Sequence, residues 1–186
     1  MKGLQDADGA NRAMRTERFR FVLSEFGPPA HILLVGGIPA MFAIHELKTS
    51  FIYGNYLGTV LIAQAFVEHS LGGAFAMAGE DEIVQAGFAR LIDESVSRDW
   101  ISPWVAARLH DLRRIRNPYS HPSAPGGKRG YLARLERWLP SSPEMLAEND
   151  AKVAIQIVVD WLRDGSPEWA PLRESQRWPK GAPAAV

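Results

Sequence analysis

With 186 residues, 46% of them apolar, the chain suits one domain with a sizeable core. Lysine plus arginine balance aspartate plus glutamate at 21 each, so no global positive field draws in nucleic acid, and RNA contact would need a local basic patch. The absence of cysteine excludes disulfides and thiolate metal sites, and the polar N-terminus lacks a secretion signal's apolar core, so a cytoplasmic protein is expected.

Residues 1–10 read as a loose polar lead. A helix is expected over 11–26, with Phe19, Leu23 and Phe26 on one face, stopped by Gly27-Pro28-Pro29. The apolar run 31–44 contains Gly36-Gly37 and Pro39. It is too short and interrupted to span a membrane, and reads as a buried connector into a helix over 39–53. No dinucleotide or phosphate-loop spacing follows its glycines. Asn55 is placed to cap a helix over 56–74 that is apolar almost all round, the mark of a central element. Gln64, Glu68 and His69 argue against its crossing a membrane. One further helix is expected over 81–98, with Val84, Phe88, Leu91 and Ile92 inward. Short and long helices are then expected over 131–139 and 149–164. No strand alternation or repeat appears, so the class is all-α, a bundle of four to six helices. The expected organisation is an N-terminal helix and connector over 1–38, a helical domain over 39–165 and a tail over 166–186.

The stretch from Ser102 to Pro122 organises the rest. Ser102 is a good N-cap, Pro103 suits the first helical position, and Pro118 predicts a stop near Arg116 or Asn117. At about 100° per residue, Val105, Leu109 and Leu112 share one stripe, and its next position is Arg116. An arginine continuing an apolar face needs a buried partner or a ligand. Glu68 extends the Leu57-Leu61-Gln64 stripe of the central helix in the same way. It is expected to hold Arg116 or Arg108 in place, which is favoured over orienting a phosphate-gripping arginine. Five residues after Arg116 stands His121, the side chain best suited to proton transfer near neutral pH.

The run Arg116-Asn117-Pro118-Tyr119-Ser120-His121 resembles the R-x4-6-H signature of the HEPN family, including a polar residue directly after the arginine. These are small all-helical domains, many of them metal-independent ribonucleases of prokaryotic toxin and phage-defence systems. The resemblance covers roughly residues 40–165 and is sharp over six of them. It implies a HEPN-like bundle that acts as a homodimer with facing motifs, and it allows an antitoxin or defence partner. In that reading Arg116, Asn117 and His121 are catalytic, supported by Glu68, Tyr119 and Ser120, while Arg113, Lys128 and Arg129 contact RNA. His121 would take the 2′-hydroxyl proton or protonate the leaving oxygen. Arg116 would stabilise charge on the phosphate, and Asn117 would hold the phosphate or the imidazole tautomer. One departure matters: some HEPN toxins carry a tyrosine two residues after the histidine, modified by a partner nucleotidyltransferase, and here that position is Ser123. Tyr119 lies inside the motif instead, with no role legible.

His31, His45, His69, His110 and His121 show no paired metal spacing, and neither G-x-S-x-G nor a cysteine nucleophile is present. No metal or cofactor is expected. The alternative to an endoribonuclease is a non-catalytic helical module that binds RNA, nucleotide or a partner protein through the same cleft.

Overall fold

The computed structural model describes residues 2–27, 36–121, 130–137 and 142–165, and every element among them is helical. The axis is α3 (Tyr56–Met77), reached after α1 (Lys2–Phe26) and α2 (Gly37–Ile52). Asn55 starts α3 as expected, its side-chain oxygen accepting the Gly58 N–H at 3.0 Å. Val60, Ala63, Phe66, Val67, Leu71 and Phe75 are all fully buried. Around α3 pack α2, α4 (Asp81–Val84), α5 (Phe88–Ser97), α6 (Pro103–Ser120) and α8 (Pro143–Asp160), while α7 (Tyr131–Arg137) is short. By length and composition alone α3 could cross a membrane. In this bundle 56% of its apolar window is buried against neighbouring helices. Eight α-helices are described, two more than the upper end of the expected four to six, and six of them have ten residues or more.

Several expected boundaries move, each for a physical reason. No loose lead precedes α1, whose backbone is helical from Lys2 straight through Gly9. Its packing face is also rotated from the expected one. Val22 is buried, Phe21 and Phe26 lie against the core, and Phe19 and Leu23 are exposed. The contacts made by Arg18, Phe21 and Glu25 set that rotation. Arg18 donates to the Ile52 carbonyl at 3.0 Å, Phe21 meets the Phe51 ring at 5.2 Å, and Glu25 accepts from Gln156 on α8 at 3.4 Å. These three residues are spaced i, i+3, i+7, one side of a helix.

The single helix expected over 81–98 is two. Gly87 is extended (φ −66°, ψ 155°) and serves as the N-cap of α5, so the chain turns between Val84 and Phe88. Helix α8 begins six residues earlier than expected, at Pro143. Ser142 caps it by accepting the Met145 N–H at 3.2 Å. A π-helical turn, Trp161–Gly165, ends it. Residues 31–35 of the expected connector, the basic loop with Lys128 and Arg129, and the tail over 166–186 lie outside the described residues, and α2 begins at Gly37, two residues before the expected start.

Candidate functional site

The site is the last turn of α6. Ser102 Oγ accepts the Val105 N–H at 3.2 Å and Pro103 occupies the first turn, so the helix starts as expected. Val105, Leu109 and Leu112 are sealed in the core. At Arg116 the same stripe emerges, partly buried.

The helix does not stop before Pro118 but continues to Ser120. A proline inside a helix removes one backbone bond and crowds the preceding turn. Here the loss falls in the final turn, and a tertiary contact holds the chain helical beyond it. Tyr119 Oη donates to Asp150 Oδ2 on α8 at 2.8 Å. Asp150 also accepts a two-pronged contact from Arg134 on α7, at 2.7 Å and 2.6 Å. Its side chain is only 2% exposed. The Tyr119 ring leans on that of Tyr131, with centroids 5.2 Å apart, and Tyr131 Oη donates to the Pro143 carbonyl at 2.5 Å. Burial, reinforced by the Asp150 carboxylate, pushes the Tyr119 phenol far above its ordinary range. Tyr119 is therefore a neutral donor at any physiological pH. The Arg134 guanidinium is raised too, because the carboxylate outweighs the burial that alone would lower it.

Beyond this anchor two of the candidate side chains, Arg116 and His121, come together. His121 is the C-cap, extended at φ −125° and ψ 131°, and its N–H donates to the Asn117 carbonyl at 3.0 Å. Its exposed imidazole sits beside Arg116, with Nη1 3.1 Å from Nε2. An arginine N–H can only donate, so the contact is a hydrogen bond in the tautomer that leaves the Nε2 lone pair free and carries the ring proton on Nδ1. Ser120 Oγ donates to the carbonyls of Arg116 at 3.3 Å and Asn117 at 3.5 Å, which ties off part of the helix end. Arg113, Arg116, Asn117 and Ser120 recur at i, i+3, i+4 and i+7, so they share one partly buried face. Arg113 Nε is buried without a hydrogen-bond partner.

Of the residues singled out in the sequence, Arg116, Asn117, Tyr119, Ser120 and His121 are brought together. Glu68 is not among them. It accepts from Gln64 Nε2 at 3.3 Å and lines a cavity of about 650 Å³ with Gly36, Gly37, His69 and Met77, on the α2 side of α3. It makes no ion pair with Arg116 or Arg108, and Arg108 Nε instead donates to Asp160 Oδ2 at 3.0 Å. The cause is the stripe itself. Leu57 is 46% exposed and Leu61 only partly buried, so among the apolar members of that stripe neither is sealed in the core, although Gln64 is buried.

Asp150 is the residue that the sequence reading missed, although a signal was there. Leu146, Ala154 and Ile157 lie at i−4, i+4 and i+7 from it and are buried, so Asp150 interrupts an apolar stripe just as Arg116 does. Among the described residues no three His, Asp or Glu side chains converge as metal ligands. The chain matches no known family model, and no curated protein or solved structure is significantly similar to it.

Proposed function

We propose that the chain is a metal-independent endoribonuclease of the HEPN type, working as a homodimer in a toxin or defence setting. The observation that carries the reading is the Arg116–His121 pair at 3.1 Å, at the end of a helix whose inner stripe of Val105, Leu109 and Leu112 is sealed in the core. A guanidinium beside an unprotonated imidazole nitrogen is the minimum needed for attack by an RNA 2′-hydroxyl on its own phosphate. Arg116 moves from the imidazole to the phosphate, where it stabilises charge as the P–O2′ bond forms. That frees Nε2 of His121 to take the 2′-hydroxyl proton. The P–O5′ bond breaks, and the departing oxygen receives a proton from the second copy's His121, which enters the step as an imidazolium in a composite cleft and leaves it neutral. The products are a 2′,3′-cyclic phosphate and a 5′-hydroxyl. Asn117, on the same face as Arg116, contacts the phosphate, and Arg113 on that face contacts the backbone.

The test is cleavage of RNA in excess EDTA by the wild type and by His121→Ala. Cleavage expected from the wild type is lost in the variant, and a DNA strand of the same sequence stays intact. RNA that is bound but never cut by the wild type would favour the non-catalytic binding module.

A further inference from the structure

Between α6, α7 and α8 lies a polar contact that burial makes costly. Asp150 is buried among Leu146, Ala151 and Ala154, and its two oxygens accept three hydrogen bonds. A carboxylate in such a place is stable only while its donors stay put, and it restrains them in turn. One donor is Tyr119, three residues from Arg116 and two from His121. The other is Arg134, whose planar two-pronged grip fixes how the carboxylate is turned. The Tyr119 hydroxyl thus holds in helical form a turn that Pro118 would otherwise loosen, and that turn carries both reacting groups.

We infer that Asp150 is a positioning residue for the Arg116–His121 pair, acting through Tyr119 and itself oriented by Arg134. This rests on the ribonuclease reading for its catalytic consequence, though not for its geometry. The restraint does not touch the substrate. Losing it slows turnover without weakening RNA binding, because the phosphate-gripping face is still present while the reacting atoms are misplaced. A displacement of about 1 Å is enough to cost on the order of 100-fold in rate.

The experiment uses the full chain with Tyr119→Phe and Asp150→Asn, against Asp160→Asn as a control. Asp160 joins α8 to the other end of α6 through Arg108. Two readouts are taken: nitrogen chemical shifts of the His121 ring, and kcat and KM on an RNA oligonucleotide. In Tyr119→Phe and Asp150→Asn the His121 ring signals are expected to move and kcat to fall about 10- to 100-fold, with KM little changed. Asp160→Asn should move neither readout, even if it lowers Tm. Unchanged His121 signals in both site variants would overturn the inference. So would an equal fall of kcat in the control, which would reduce the effect to stability. If Asp150→Asn does not fold, Tyr119→Phe decides alone, since it removes only an oxygen. Ring signals that move in a protein that cuts no RNA would uphold the positioning role and overturn the ribonuclease reading instead.

Discussion

The two ends of α6 are both tied to α8, but by different physics. Toward its start, Val105, Leu109 and Leu112 are buried, and the polar tie is the Arg108–Asp160 pair, whose side chains remain 28% and 26% exposed. Toward its end no apolar side chain is sealed after Leu112, and the tie is the buried Asp150 with Tyr119 and Arg134. The difference follows from the side chains each end carries. An end that only needs to be anchored can rely on apolar burial, which is non-directional and tolerant. The end that carries Arg116 and His121 seals less apolar surface, since Ile115 and Tyr119 pack against the core but stay partly exposed. Directional hydrogen bonds at a buried charge must fix it instead.

The largest expected effect is on chemistry at the exposed end. Arg116→Ala and His121→Ala should each lower RNA cleavage by about 100-fold or more, as loss of a charge-stabilising or proton-transferring group does. A thermal melt should move little for His121→Ala, because the side chain is exposed. Unfolding of His121→Ala, with activity tracking only the folded fraction, would collapse the contrast between the two ends.

The next largest effect is on stability. Asp150→Ala leaves Arg134 and Tyr119 buried without their acceptor and should cost about 3–5 kcal/mol in denaturant unfolding. Asp160→Ala, at the half-exposed pair, should cost under about 1 kcal/mol. Equal costs would mean that the buried network is no more than another surface tie.

The same contrast shows what could be read in advance. Ser102-Pro103 announced the start of α6, and the Arg116 position followed from the period of Val105, Leu109 and Leu112. Ser142-Pro143 is the same signal and went unread, because the first turns of α8 carry polar residues and the apolar period becomes obvious only from Val153. Asp150 falls inside the expected helix over 149–164, but Leu146, the buried residue one turn before it on the same stripe, falls on the unread portion. Pro118 was expected to end the helix, and by local rules it does so; the Tyr119–Asp150 bond, 31 residues apart in sequence, overrides it. A Glu68–Arg116 pair requires the Glu68 stripe of α3 to meet α6, and a helix apolar almost all round does not show which of its sides meets which neighbour. The all-helical class and the central place of α3 needed only composition and period, and both are seen.

A smaller effect concerns alkaline pH. The Tyr119 phenol is raised by burial and by Asp150 above its ordinary value of 10.0. The unfolded chain therefore ionises there first, so the stabilisation is intact below about pH 10 and is lost as the pH rises above it. Tyr56 and Tyr131 are shifted the same way. Tyr119→Phe should accordingly flatten, without abolishing, the fall of Tm between pH 9 and 11, on the order of a few degrees. An unchanged slope would remove Tyr119 from the buried network.

The smallest effect is a coupling that should be absent. Glu68→Gln and Arg116→Ala are expected to be additive to within about 0.5 kcal/mol, since the two side chains make no ion pair. Strong coupling would mean that the cavity beside Glu68 and the end of α6 act as one site.

The most direct measurement of the central claim is the chemistry of the RNA ends, read by mass spectrometry after cleavage in EDTA. One imidazole and one guanidinium, with no protein nucleophile between them, leave the 2′-hydroxyl as the attacking group. The expected products carry 2′,3′-cyclic phosphates and 5′-hydroxyls, and a single 2′-deoxy substitution at the scissile position blocks cutting there. Products with 5′-phosphates, or cleavage that survives the 2′-deoxy substitution, would contradict the account.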